Sequence, residues 1–132
     1  MSFDYKDYYI ELGKLLYAVA KADGKVQLEE VQDLHKLVRN VLLKIEHDTD
    51  EFGTNNAFYT EFEFETMMDS KAEMNEAYDS FIKFIKLNKC SITDKMKEIC
   101  ISSVEKIADS FDGIVPEEKQ FIDKLKADLA NI

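Results

Sequence analysis

Two stretches of the chain carry carboxylates in a spacing that could bind a metal: "VAKADGKVQLEEV", residues 19–31, and "IADSFDGIVPEEKQF", residues 107–121. An Asp-Gly followed by glutamates is part of the calcium-loop pattern D-x-[DN]-x-[DN]-G-x₅-E, in which a hard cation takes oxygens from the first, third, fifth and twelfth positions. With Gly24 as the invariant glycine, Asp23 takes the fifth position, Val26 the apolar eighth and Glu30 the twelfth, but the first and third fall on Val19 and Lys21. In the second copy the first and twelfth positions are Ala108 and Lys119. Neither stretch is an EF-hand. The same letters also describe a tight helical hairpin. Glycine after the last helical turn takes the left-handed conformation, Val26 or Val115 fills the gap between helices, and the following carboxylates favour the next helix's N-terminus. Cap and cation both remain open, since carboxylates at a tight hairpin can share an ion in another geometry.

Other residues with chemical potential are scattered. His47 precedes Asp48, Asp50 and Glu51 and reads either as part of a carboxylate metal site or as a cation at a helix end. His35 lies beside an apolar stripe, as a helix-surface or boundary histidine does. Glu61, Glu65 and Asp69 recur at four-residue steps, so on one helix they repel one another by a few tenths of a kcal/mol, ~0.2–0.5 per pair. Cys90 and Cys100 form no CxxC and have no histidine nearby, which makes them ordinary buried thiols in expectation. The sequence contains no GxGxxG, P-loop, HExxH or GxSxG, and no nucleophile stands at a useful spacing from a base. The expectation is a protein that is not an enzyme, and an unrecognised metal-dependent hydrolase built on clustered carboxylates is the remote alternative.

The elements that would position these residues are helices. Tyr5, Tyr9, Leu12, Leu16 and Val19 share one face of a helix over residues 4–22, and Val31, Leu34, Val38, Val41 and Ile45 share a face of a second helix from about Leu28, widened by Leu37 and Leu42. "TEFEFET", residues 60–66, alternates as a strand would. Helix is favoured because no second strand exists to pair with it; if extended, it would pair with a second copy in a homodimer. Ser70 and Glu73 make a capping box before the stripe Met74, Ala77, Tyr78, Phe81 and Ile85. Ser91 or Thr93 caps the next helix, which carries Met96, Ile99, Ser103, Val104 and Ile107 towards Asp112. Pro116 opens a last helix with Phe121, Ile122, Leu125 and Leu129 on its buried face. A shift of 89 residues superposes Asp23-Gly24 on Asp112-Gly113 and Val26 on Val115; a shift of 88 then matches Glu30 with Glu118 and Leu34 with Ile122. The hairpins therefore read as a duplicated unit, and residues 1–132 as a single all-α domain of about six helices.

Composition agrees: 45% hydrophobic and 33% charged residues, four glycines and one proline suit a helix-rich globular chain. No apolar run reaches the roughly 20 residues that cross a bilayer, and the start lacks the basic and apolar regions of a secretory signal, so a cytoplasmic protein without direct membrane insertion is expected. The net charge of −10 is concentrated between Asp48 and Asp79, where ten acids face one base, Lys71. Such a field repels nucleic acid and anionic lipid and attracts divalent cations or a basic protein surface, unless it is simply a solvated face.

The segments "LLYAVAKADGKVQLEEV" and "SVEKIADSFDGIVPEEKQFI" together resemble the TerB-like domain, a family named after a bacterial tellurite-resistance protein and found also at the start of a membrane-associated J-domain co-chaperone. The resemblance implies a TerB-like helical bundle without catalytic activity, divalent-cation binding (calcium or magnesium) through acidic residues, and a stress-response or scaffolding role. By that analogy Asp23, Glu29, Glu30, Asp112, Glu117 and Glu118 occupy the acidic, metal-binding positions. Two expectations about function follow: an acidic module that binds a partner protein, and a dedicated divalent-cation binder.

Overall fold

A stretch of helix that is apolar on all sides must be covered on all sides, and residues 15–20 of the first helix are of that kind. In the computed structural model, which describes residues 3–22, 24–46, 49, 51–110 and 113–132, α1 (Tyr5–Lys21) begins at Asp4, whose side chain accepts from the Lys6 amide at 2.9 Å. Tyr8, Tyr9, Leu12, Gly13 and every residue from Leu15 to Ala20 are buried. The helix becomes the axis of the bundle. α2 (Leu28–Leu37) runs on through a π-helical turn (Val38–Leu42) and a last turn (Leu43–Ile45). α3 (Phe58–Ser70), α4 (Met74–Leu87), α5 (Asp94–Ala108) and α6 (Pro116–Ala130) complete an all-α bundle of six helices, with no strand among the described residues. α1 lies against α3, α4, α5 and α6.

"TEFEFET" is helical, inside α3. Its position is fixed where it crosses α1: a Cβ on Gly13 would stand 2.6 Å from the Thr60 carbonyl oxygen, so only glycine admits this approach. Thr60, itself buried, donates to the Tyr9 carbonyl at 3.0 Å across the same contact. α3 stops at Lys71, which adopts a left-handed conformation (φ 56°) and returns its amide to the carbonyls of Met67 and Met68. That reversal displaces the expected Ser70–Glu73 capping box. Ser70 stays within α3 and donates to Met67 O at 3.2 Å, and Glu73 becomes the N-cap of α4 without a side-chain bond. Tyr17 of α1 holds the turn by donating to Ala72 O at 2.7 Å.

The stripe expected on α2 is also corrected. Leu34, Leu37, Val38 and Leu42 are buried, whereas Val41 and Ile45 are exposed. The cause is the π turn, where the Leu43 amide reaches Val38 O five residues back, widening the helix so that positions 38 and 42 both stay on the core side and 41 rotates out. Downstream, Thr93 caps α5 by accepting from the Met96 amide at 3.1 Å, Pro116 occupies the first turn of α6, and Phe121, Ile122, Leu125 and Leu129 are buried as the pattern required.

The two Asp-Gly hairpins, α1/α2 and α5/α6, meet in the bundle through α1 with α5, α1 with α6 and α2 with α5. Gly24 and Gly113 both hold positive φ, 98° and 78°. The helices that follow are N-capped by Gln27 and Val115. Val115 therefore corresponds to Gln27 rather than to Val26, and the residue missing from the second hairpin is lost between the glycine and the cap.

Candidate functional site

Of the acidic positions at the hairpins, Asp23 and Asp112 lie outside the described residues. Glu30 and Glu118 are inward and matched: Glu30 Oε1 accepts from the Gln27 amide at 2.7 Å, and Glu118 Oε1 from the Val115 amide at 3.1 Å. Each is the third residue of its helix and bonds the N-cap amide, which is one half of a capping box. Both are buried, at 2% and 3% exposure. Glu29 and Glu117 are exposed, and Glu117 lines a cleft of about 280 Å³ with Ala22, Tyr78, Phe121 and Lys124, where the second hairpin meets the end of α1. Among the described residues no three His, Cys, Asp or Glu side chains are placed to hold a metal.

The acidic middle of the chain divides into two parts. Glu61 is 4% exposed and belongs to no solvent patch. Arg39 of α2 donates to its Oε1, and His35 Nδ1 lies 2.8 Å from the same atom. An imidazole nitrogen so close to a carboxylate oxygen must carry the proton, so His35 donates through Nδ1. Its Nε2 is 3.6 Å from Glu65, and the Arg39 guanidinium also lies over the Phe58 ring at 5.9 Å. The side chains thus clamp α2 to α3. His35 is a boundary histidine with a structural partner that four-residue spacing within α3 could not reveal. The second part is the α3–α4 turn, where Asp69, Glu73, Glu76 and Asp79 are all exposed and none has an ion pair among the described residues. His47, Asp48 and Asp50 lie outside the described residues.

The cysteines part company. Cys90 is exposed, contrary to expectation, because it falls in the α4–α5 connection. Cys100 is buried on α5, where burial pushes its thiol up to about 12 and its hydrogen bond with Tyr8 offsets only part of that rise. Tyr8 donates to Met96 O at 2.9 Å and sits 3.5 Å from Cys100 Sγ; its own pKa is raised well above the ordinary tyrosine value, first by burial and then by Cys100. A cavity of about 420 Å³ opens beside this group, lined by Tyr5, Tyr9, Ile45, Glu46, Lys95 and Met96. Tyr9 is hydrogen-bonded to Glu46 there, and its pKa is raised by burial and then by that carboxylate. A thiol and phenols held in their neutral forms have no strong nucleophile among them. The His35 imidazole donates to Glu61, a carboxylate it could not activate for attack, and Arg39 donates to the His35 backbone carbonyl at 3.3 Å.

No family model, no curated protein and no solved structure matches the chain.

Proposed function

We propose that the chain is a non-catalytic helical interaction module of the TerB-like kind, with a stress-response or scaffolding role, and that it meets a basic protein surface with the acidic end formed by the α3–α4 turn. The observation that supports this most is the exposure of Asp69, Glu73, Glu76 and Asp79 at and after the α3–α4 turn, with no ion pair among the described residues to neutralise them, the nearest bases being Lys71 in the turn and Lys83 and Lys86 beyond Asp79 on α4. Glu76 and Asp79 are three residues apart on α4, with Glu73 just before them at the N-cap, so the helical pair costs roughly 0.2–0.5 kcal/mol that an approaching cationic partner relieves. An exposed field of one sign accelerates and orients encounter more than it adds affinity, and it weakens with salt.

The same carboxylates would attract calcium or magnesium, so the two sources of positive charge are compared directly. Calorimetric titration of the whole chain with a lysine-rich peptide, CaCl2 and MgCl2, before and after D69N/E73Q/E76Q, separates them. The expected result is salt-sensitive peptide binding that falls at least about tenfold in the triple variant, together with a higher melting temperature of that variant in low salt. Saturable uptake of calcium or magnesium, with no peptide binding, would replace the partner protein by a divalent cation. Peptide binding unaffected by the triple substitution would remove the acidic end from the reading.

A further inference from the structure

A second polar recess lies at the other end of α3, between the start of α1 and the loop that enters α3. It has a volume of about 320 Å³ and is lined by Asp4, Lys6, Glu51, Phe52, Asn56 and Tyr59. Asn56 is 6% exposed, and its Oδ1 is a buried acceptor with no hydrogen-bond partner among the described residues. Buried amide oxygens are nearly always bonded, so an orphan at the wall of a recess marks a place for a donor. Asn56 lines the recess, and the amide torsion is soft, so a donor entering there can draw Oδ1 round to it.

The surroundings specify the donor. Two carboxylates, Asp4 and Glu51, face one ammonium, Lys6, so the lining is net negative. Asp4 uses Oδ1 on the Lys6 amide. The Lys6 Nζ lies 5.4 Å over the Tyr59 ring, which shows that this aromatic face accepts a cation, and Phe52 beside it is 83% exposed. A metal ion would leave most of the volume and both rings unused. An ammonium is a compact point charge, whereas a guanidinium is planar, offers five N–H donors in a fixed fork, and stacks on aromatic faces. It can meet a carboxylate and the Asn56 amide together.

We propose that this recess is a binding site for the guanidinium of an arginine side chain carried by the protein's partner. Asn56 Oδ1 and Glu51 accept its N–H groups, Phe52 and Tyr59 flank its plane, and Lys6 is the competing resident cation. The inference rests on the basic-partner reading only for the source of the arginine, and the recess can be tested without it.

The probe is Nα-acetyl-arginine methylamide, titrated into the whole chain by NMR, with the acetyl-lysine and the neutral acetyl-citrulline analogues as controls. The arginine derivative is expected to bind weakly, on the order of millimolar, as a single side chain does, and to perturb Asn56, Tyr59 and Phe52. The lysine analogue should be at least about fivefold weaker and the citrulline analogue without effect. N56L and E51Q should each weaken binding about fivefold or more, and K6Q should tighten it, because a like charge leaves. N56L removes an unpaired buried acceptor and is expected to keep the fold, which the melting curve of the same sample checks. Equal binding of citrulline, no response to N56L and E51Q, or perturbations confined to the α3–α4 turn would overturn the assignment. So would calcium saturating the same resonances in place of arginine. Failure of lysine-rich peptide binding in D69N/E73Q/E76Q speaks to the acidic end alone and leaves the recess untouched.

Discussion

Glu61 has the surroundings of a structural carboxylate. It is nearly inaccessible, and Arg39 and His35 converge on one of its oxygens. Neutralising it therefore has the opposite sign from neutralising an exposed, repelled carboxylate. E61Q should lower stability by about 1–2 kcal/mol, since the buried acceptor loses its charge-assisted bonds, whereas E65Q, whose side chain is 43% exposed, should change it by no more than a few tenths, ~0.3 kcal/mol. Urea unfolding of the two variants checks the contrast. Gly13 is the other residue whose role depends on something distant in sequence. A methyl group there collides with a backbone carbonyl of α3 that cannot turn aside, so G13A should cost about 2 kcal/mol even though alanine is the better helix former. A G13A variant as stable as the parent in the same unfolding experiment would show that α1 and α3 can separate without penalty.

At the scale of the element, the hairpin carboxylates give a sharp test because a cap and a metal ligand respond differently to amide replacement. Glutamine keeps an oxygen that accepts from the N-cap amide, and alanine does not. E30Q and E118Q should stay within about 0.5 kcal/mol of the parent, while E30A and E118A should each lose about 1 kcal/mol. Thermal unfolding with and without calcium distinguishes the alternatives: a ligand role would make E30Q lose any calcium-dependent stabilisation. The glycines that end α1 and α5's hairpin turns were legible in the two Asp-Gly pairs, because a left-handed helix end calls for a residue without Cβ. The π turn of α2 was not. Val31, Leu34, Val38, Val41 and Ile45 make a convincing regular stripe, and only the π turn, which carries Leu42 to the core side, decides that Val41 faces water.

For the whole molecule, burial of neutral phenols and a thiol sets the alkaline limit of stability. The Cys100 thiol titrates near 12 in the folded chain and about 8.5 when unfolded, so between those values the unfolded state binds fewer protons. Stability from this group is fully present below about pH 8.5 and falls as pH rises towards 12. Tyr8, Tyr9 and Tyr78, all raised, the last by burial and its bond to Asp128, extend the loss from about pH 10 upward. The melting temperature should decline above pH 9, with a shallower slope in C100A. A disulfide reagent at pH 8 should modify Cys90 in the native protein and Cys100 only on unfolding. Simultaneous modification of both thiols would contradict the packing around Tyr8.

What the sequence determined by itself was local. Helical periodicity placed α1, α4, α5 and α6, Thr93 and Pro116 marked two starts, and the Asp-Gly pairs marked two stops, because each depends on residues within one or two turns. The inward turn of Glu30 and Glu118 was half legible: their spacing from the next helix start is that of a capping box, but the same spacing also suited a cation, and only the N-cap amides 2.7 and 3.1 Å away assigned the carboxylates. Tertiary structure alone decided the division of the acidic segment. Asp69, Glu73 and Glu76 face water while Glu61 is taken up by Arg39 and His35, since an ion pair between α2 and α3 depends on where two helices cross, and no period within either one encodes that crossing.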